Sequence, residues 1–230
     1  ALSQSTHLGN LSHLDLWICG IEVEGARALA SMRCQPRPYW INLGGNSIGE
    51  EGIRALAGST LLEKVRRFLI WGNAIRDSGV THLVRGPHLQ EIEELYLNEN
   101  HLGMKAARVL ASWEPLQNIR TLSIWGNLLR PRGGAILGSA PMPQMRMLLL
   151  SGTRIGDEGA RALANNATLR NLHSLDVGNT RLTDEGVRAL LDSPFLTELK
   201  NLNVSGNTIS PPLLSECESR YEMTVRDEVP

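Results

Sequence analysis

Four of the five tryptophans in this chain, Trp17, Trp40, Trp71 and Trp125, fall on two columns of a 27-residue period. Trp17, Trp71 and Trp125 share one column and Trp40 stands on another. Leu69, Tyr96, Met147 and Leu149 occupy neighbouring places, with Arg67 and Glu94 among them. The chemistry such a set offers is non-covalent recognition, because exposed aromatic groups flanked by charge are the anchors that dominate protein interfaces. The same rings have a structural use: Trp71 is placed to cover Gly44, and Trp125 to cover Asn98 and Ser151. Binding is the reading favoured, through Trp17, Trp40, Arg67, Leu69, Trp71, Glu94, Tyr96, Trp125, Met147 and Leu149.

Bond-making chemistry has less behind it. His82 and His88 lie six residues apart with no further ligand at metal spacing, and read as surface residues of an outer loop. His13 and Asp15 point the same way on one strand, yet no nucleophile accompanies them, so a packed or solvated pair is expected. Glycines recur with the period rather than in a phosphate-cradling loop. The chain is read as a non-enzyme with no catalytic, cofactor or metal site.

The elements that must position the anchors follow from one recurring register: Cys19, Asn46, Asn73, Asn100, Asn127, Thr153, Thr180 and Asn207. Apolar residues precede each by three and five positions, and an aliphatic residue follows by two. A period in the range of about 20–29 residues with this core is the signature of a solenoid. Leu148 and Leu150 show the alternation of a short strand with one buried face. Eight such strands predict a parallel sheet, and the asparagine beyond each one can satisfy backbone groups of a neighbouring coil where no ladder remains. Threonine at 153 and 180 can do part of that work, and Cys19 is expected to fill the place as a buried thiol.

A helix should follow each strand. Glu50 and Glu51, Asp157 and Glu158, and Asp184 and Glu185 sit where acids cap a helix start. Gly25, Gly52, Gly79, Gly133, Gly159 and Gly186 fall in the first turn, letting each helix approach the next coil closely. Pro131, Met104 and Lys105 break the acidic cap, so the fourth and fifth coils should start their helices less well. Helices pack about 8–10 Å apart and strands about 4.8 Å, a mismatch that bends the stack with helices outside and strands on the concave face.

The ends depart from the pattern. Ala1-Leu2 matches Ala28-Leu29 and Ala55-Leu56, so residues 1–10 read as the end of a truncated preceding repeat. Either the natural array is longer, the reading favoured, or a degenerate half-repeat caps it. Residues 11–210 hold about eight repeats, Gln35-Pro36-Arg37-Pro38 predicts a stiff outer connection, and 211–230 form a capping segment, with a helix at Leu213–Tyr221, and a loose tail. The whole of 1–230 is taken as a single domain.

With 230 residues and a formal net charge of -1, nothing favours nucleic acid or an anionic membrane. No apolar run reaches membrane-spanning length, and the first residues do not read as a signal peptide. Cys19, Cys34 and Cys217 have neither disulfide nor zinc spacing, which favours the reducing cytoplasm.

The pattern L-x-L-x-G-N-x-I-x-x-x-G-x-x-x-L-A over about residues 11–210 resembles the ribonuclease-inhibitor subclass of leucine-rich repeat proteins. The run Asp157–Ala164 is most similar to bacterial arrays of that subclass. The resemblance implies an α/β solenoid, a horseshoe arc with a parallel sheet inside and helices outside. It also implies a scaffold that binds a protein or peptide, with no cofactor. Two alternatives remain open: a regulator of a small GTPase acting through a rim arginine such as Arg76 or Arg130, and homotypic assembly through an exposed N-terminal repeat.

Overall fold

The structure, a computed structural model, describes residues 11–32 and 37–223. Eight strands, β1 (His13–Asp15), β2 (Trp40–Asn42), β3 (Arg67–Leu69), β4 (Glu94–Tyr96), β5 (Thr121–Ser123), β6 (Met147–Leu149), β7 (Ser174–Asp176) and β8 (Asn201–Asn203), form one parallel sheet in sequence order. Each is followed by a helix: α1 (Val23–Ala30), α2 (Gly49–Ala57), α3 (Arg76–Arg85), α4 (Met104–Ala111), α5 (Arg130–Gly138), α6 (Gly156–Ala164), α7 (Asp184–Leu191) and α8 (Pro211–Arg220). Every helix from α1 to α7 packs on its successor. The molecule is an α/β solenoid with the architecture of a leucine-rich-repeat horseshoe.

Strand register follows the sequence columns without a slip. His13 pairs with Trp40, Trp40 with Arg67, Arg67 with Glu94, and so on to Ser174 with Asn201. The central residue of each strand turns inward: Leu14, Ile41, Phe68, Leu95, Leu122, Leu148, Leu175 and Leu202 are all buried, as is Leu150. A one-residue slip would put this whole set in solvent, so burial itself holds the register.

Beyond the strands the asparagines take over. Asn46 accepts the N–H groups of Cys19 and Ile21 at 3.0 and 2.9 Å and donates to Leu16 O of the same earlier coil. Asn73, Asn100, Asn127 and Asn207 repeat the arrangement. The threonines do less: the Thr153 hydroxyl donates to Leu150 O and the Thr180 hydroxyl to Val177 O, each of its own coil, at 2.5 Å, and Thr180 also reaches Asn207 Oδ1 at 3.5 Å. Cys19 departs from expectation, since its thiol is exposed. It belongs to the first described coil, and its Sγ meets only Trp17 O at 3.5 Å.

Acidic residues do cap helices, but chiefly those of the next coil. Asp77 of α3 accepts the N–H groups of Gly103 and Ala106 at the start of α4, at 2.7 and 3.2 Å. Asp157 of α6 likewise holds Thr183, and Asp184 of α7 holds Ser210. The fourth coil, which lacks an acid of its own, is therefore capped by the third, and the expected weakness there is corrected. Helix α5 has no side-chain cap.

The glycine column does permit close approach. A Cβ on Gly52 would lie 2.9 Å from Ala26 Cβ, and one on Gly186 would lie 3.1 Å from Asp157 Cα, both in the preceding coil. At the far end, Pro211–Arg220 buries Leu213 and Cys217. Glu222 then pairs with the last strand, its carbonyl accepting Leu202 N–H and its N–H donating to Lys200 O, each at 3.0 Å. Glu222 is therefore not part of a loose tail. Residues 1–10, 33–36, which include Cys34 and Gln35-Pro36, and 224–230 lie outside the described residues.

Candidate protein-binding surface

The concave columns occupy the edges of each strand and the turn after it. In the first column, six residues before the register position, Trp40, Arg67, Glu94 and Met147 are all half-buried. Arg67 Nε lies 3.1 Å from Glu94 Oε2 along the sheet, and its guanidinium sits 5.5 Å from the Tyr96 ring centroid. Trp40 meets His13 at 5.6 Å, and His13 meets Tyr39 edge-on at 4.7 Å. His13, Tyr39, Trp40, Arg67 and Glu94 line a hollow of about 460 Å³ together with Arg66 and Glu93.

The second column requires a correction. Leu69, Tyr96 and Leu149, expected to face outward as contacts, are 0, 3 and 2 % exposed. Leu69 and Tyr96 stand side by side at the strand spacing and cover one another, while Leu149 is buried between Ser123 and Asp176. Where that column carries Asp15, Asn42, Asp176 or Asn203, the side-chain Oδ1 instead accepts the backbone N–H two residues on. This repeated turn was missed in the sequence, although Asx residues two positions before a turn signal it. Burial raises the Asp176 carboxyl above its ordinary value, against hydrogen bonds from Gly178 and Asn203 that lower it.

In the third column Trp17 is half exposed, at 50 %. It meets Trp71 at 6.2 Å between ring centroids, with the planes tilted by 54°. Trp71 lies flat over Gly44: a Cβ there would be 2.3 Å from the indole Cε2 and Nε1. The covering role of Trp71 is thus real, and it makes a floor beside Trp17 rather than replacing the surface. The buried Trp71 Nε1 has no hydrogen-bond partner among the described residues. Trp125 is half-buried; Asn98, one coil earlier in the same column, is buried, and its Oδ1 accepts the Ser123 hydroxyl at 2.6 Å. The fifth tryptophan, Trp113, belongs to the core.

One residue of this surface was not anticipated. The position just before the register residue takes a left-handed backbone in every coil, and five of the eight residues there are glycine: Gly45, Gly72, Gly126, Gly152 and Gly206. In the first coil it is Ile18, with φ 49° and 62 % exposure. A β-branched side chain in that region is a true outlier. Its Cγ1 would come within 2.8 Å of a Cβ on Gly45, which places Ile18 beside the Trp17–Trp71 pair.

The remaining candidates stay apart. His13 pairs with Ser12 Oγ and Tyr39 Oη, each at 2.9 Å, while Asp15 binds Trp17 N–H, so the two form no dyad. His82 lies on α3 rather than in a loop. Arg76 and Arg130 are exposed at the first residues of α3 and α5 with left-handed backbone, and Arg154 and Arg181, directly after the register residue, are left-handed too. Among the described residues no group of three or more His, Cys, Asp or Glu could hold a metal ion, and no helix is long and apolar enough to cross a membrane.

Comparison with known proteins agrees with the architecture. A family model described as Leucine Rich repeat matches residues 41–57, 145–164 and 168–191. No curated protein sequence matches the chain. Among solved structures, a Bacteroides fragilis protein is similar with a TM-score of 0.58 and 16% identity, over 97% of this chain and 67% of that one. A chain from the yeast Rad7 and Elc1 complex gives a TM-score of 0.60 at 15% identity, over 92% of this chain and 67% of that one.

Proposed function

We propose that this leucine-rich-repeat chain binds a protein or peptide on the concave face of its first five coils, with Trp17, Trp40, Trp71 and Trp125 as anchors. The solenoid fold is generically a protein–protein interaction scaffold. The observation that carries the more specific reading is the exposed Trp17 and strained Ile18 beside the Trp71 floor. A fold that could place glycine at position 18 keeps an exposed, unfavourable isoleucine, and strain of that kind persists where function uses it. Leu69, Tyr96 and Leu149 support the surface from beneath rather than touching a partner, while Arg67, Glu94 and Met147 border it.

We further take residues 1–230 as one repeat domain ending in a capping segment at 211–230, of the ribonuclease-inhibitor-like subclass in its bacterial form. Exposed Cys19 and buried Cys217 are both free, which suits a reducing compartment such as the cytoplasm.

Affinity capture from a native extract, comparing the parent chain with a Trp17→Ala/Trp71→Ala double variant, tests the reading. A partner lost by the double variant while its circular dichroism persists supports the concave site. Capture that is unchanged by both substitutions overturns it. Capture of the chain's own copies, or stimulated GTP hydrolysis by an Arg76→Ala-sensitive route, would favour the alternatives instead.

A further inference from the structure

We propose that the amino-terminal part of this surface takes a cationic segment of its partner, an arginine or lysine side chain lying across Trp17 with its charge against Asp15. This deepens the concave-face reading and rests on it.

The charges on the concave columns support a basic ligand. Those three columns carry three acids, Asp15, Glu94 and Asp176, and one base, Arg67. Arg67 and Glu94 form an ion pair at 3.1 Å, and Asp176 is engaged by Gly178 and Asn203. Asp15 is left as the exposed charge, and it stands two residues from the exposed tryptophan. Its Oδ1 accepts Trp17 N–H at 3.1 Å, which fixes the carboxylate beside that residue, while Oδ2 has no partner among the described residues. His13, on the same strand, bonds Ser12 Oγ and Tyr39 Oη rather than Asp15.

The aromatic geometry fits the same occupant. The tilted Trp17–Trp71 pair lies over Gly44 and Gly45, with Trp17 half exposed. An indole face attracts a cation through its quadrupole, and a guanidinium can lie flat on it while its edge reaches a carboxylate. The first and second coils place no lysine or arginine in these columns, so no cationic side chain there favours an anionic ligand.

The test follows the tryptophan indole N–H signals of the whole nitrogen-15-labelled chain while an octa-arginine peptide is added, with octa-glutamate and a neutral Gly-Ser peptide as controls. The Trp17 signal should move with octa-arginine alone, and the buried Trp113 signal should stay. Asp15→Asn should weaken the titration about fivefold and flatten its salt dependence. That variant keeps the local turn, because Asn42 makes the same bond to Gly44 N–H in the next coil. Glu51→Gln, on the exposed side of α2, should leave the titration unchanged. The proposal is overturned if Trp17 does not respond, if it responds equally to the controls, or if Asp15→Asn changes neither affinity nor salt slope. Partner capture that needs Trp17 and Trp71 but not Asp15 would sink the cationic assignment and leave the concave site standing. Capture indifferent to all three would sink both.

Discussion

Asn100 takes the backbone N–H of Asn73, one coil earlier, onto its side-chain Oδ1 at 3.0 Å. The same oxygen accepts Ile75 N–H, and Nδ2 donates to Ile70 O, Leu97 O and Asn98 O. One amide therefore replaces the strand ladder where it has ended, inside a fully buried site. Each buried group left unsatisfied costs about 1–3 kcal/mol, so Asn100→Ala should lose about 3–5 kcal/mol in a urea titration. Asn100→Thr should lose less, since Thr153 shows that a hydroxyl still holds the carbonyl three residues back. A loss below about 1 kcal/mol for the alanine variant would mean that water substitutes for the amide.

Gly44 has no room for a side chain under Trp71. Gly44→Ala should push the indole off its floor, because the added Cβ would lie 2.3 Å from the ring. The expected outcomes are a red shift of tryptophan emission and a destabilisation of about 1–3 kcal/mol, as for other overpacked sites. Emission identical to the parent would show that the ring does not rest there.

Ile18 opposes stability. Replacing it with glycine removes a β-branched residue from a left-handed position that costs about 1–2 kcal/mol. Ile18→Gly should therefore raise the melting temperature while weakening partner capture. A variant that melts lower, or that binds as well as the parent, would contradict the role assigned to this strain.

Two carboxylates give opposite pH dependences. Ser210 holds Asp184 below its ordinary value of 3.8, through its side chain and its backbone N–H. The stability it adds at the last helix is complete above that value and is lost as pH falls through the lowered folded value. Burial raises Asp176, so the folded state favours its protonated form, and stability is lost as pH rises through the raised value. Asp176→Asn keeps the acceptor for Gly178 N–H and should melt higher than the parent at neutral pH, with the gain vanishing below 3.8. Asp184→Asn should melt lower at neutral pH, and that deficit should vanish in acid. Thermal melts of both variants across pH check the two signs.

Much of this molecule was legible before any coordinates. The spacing of Asn46, Asn73, Asn100 and Asn127 places each asparagine one coil from the last, and the pairing of Trp40 with Arg67 and Arg67 with Glu94 follows from it. Reach was harder to read. Asp77 stands in the first turn of α3, where an acid ordinarily serves its own helix, but the close stacking of coils presents it with Gly103 instead. Cys19 shares its register with buried residues, yet its thiol is exposed, because a column gives the residue type at a position and not what packs around it.

The sequence by itself determined the solenoid, because a strict period makes every layer solve the same packing problem and leaves register no freedom. The columns of the concave face were determined in the same way. Only the tertiary structure decided which members of those columns reach solvent. Leu69, Tyr96 and Leu149 vanish beneath their neighbours, while Trp17 and Ile18 stand out beside Trp71. Exposure is set by what stands on each side in adjacent layers, a sum over neighbours about 27 residues away that no single repeat contains.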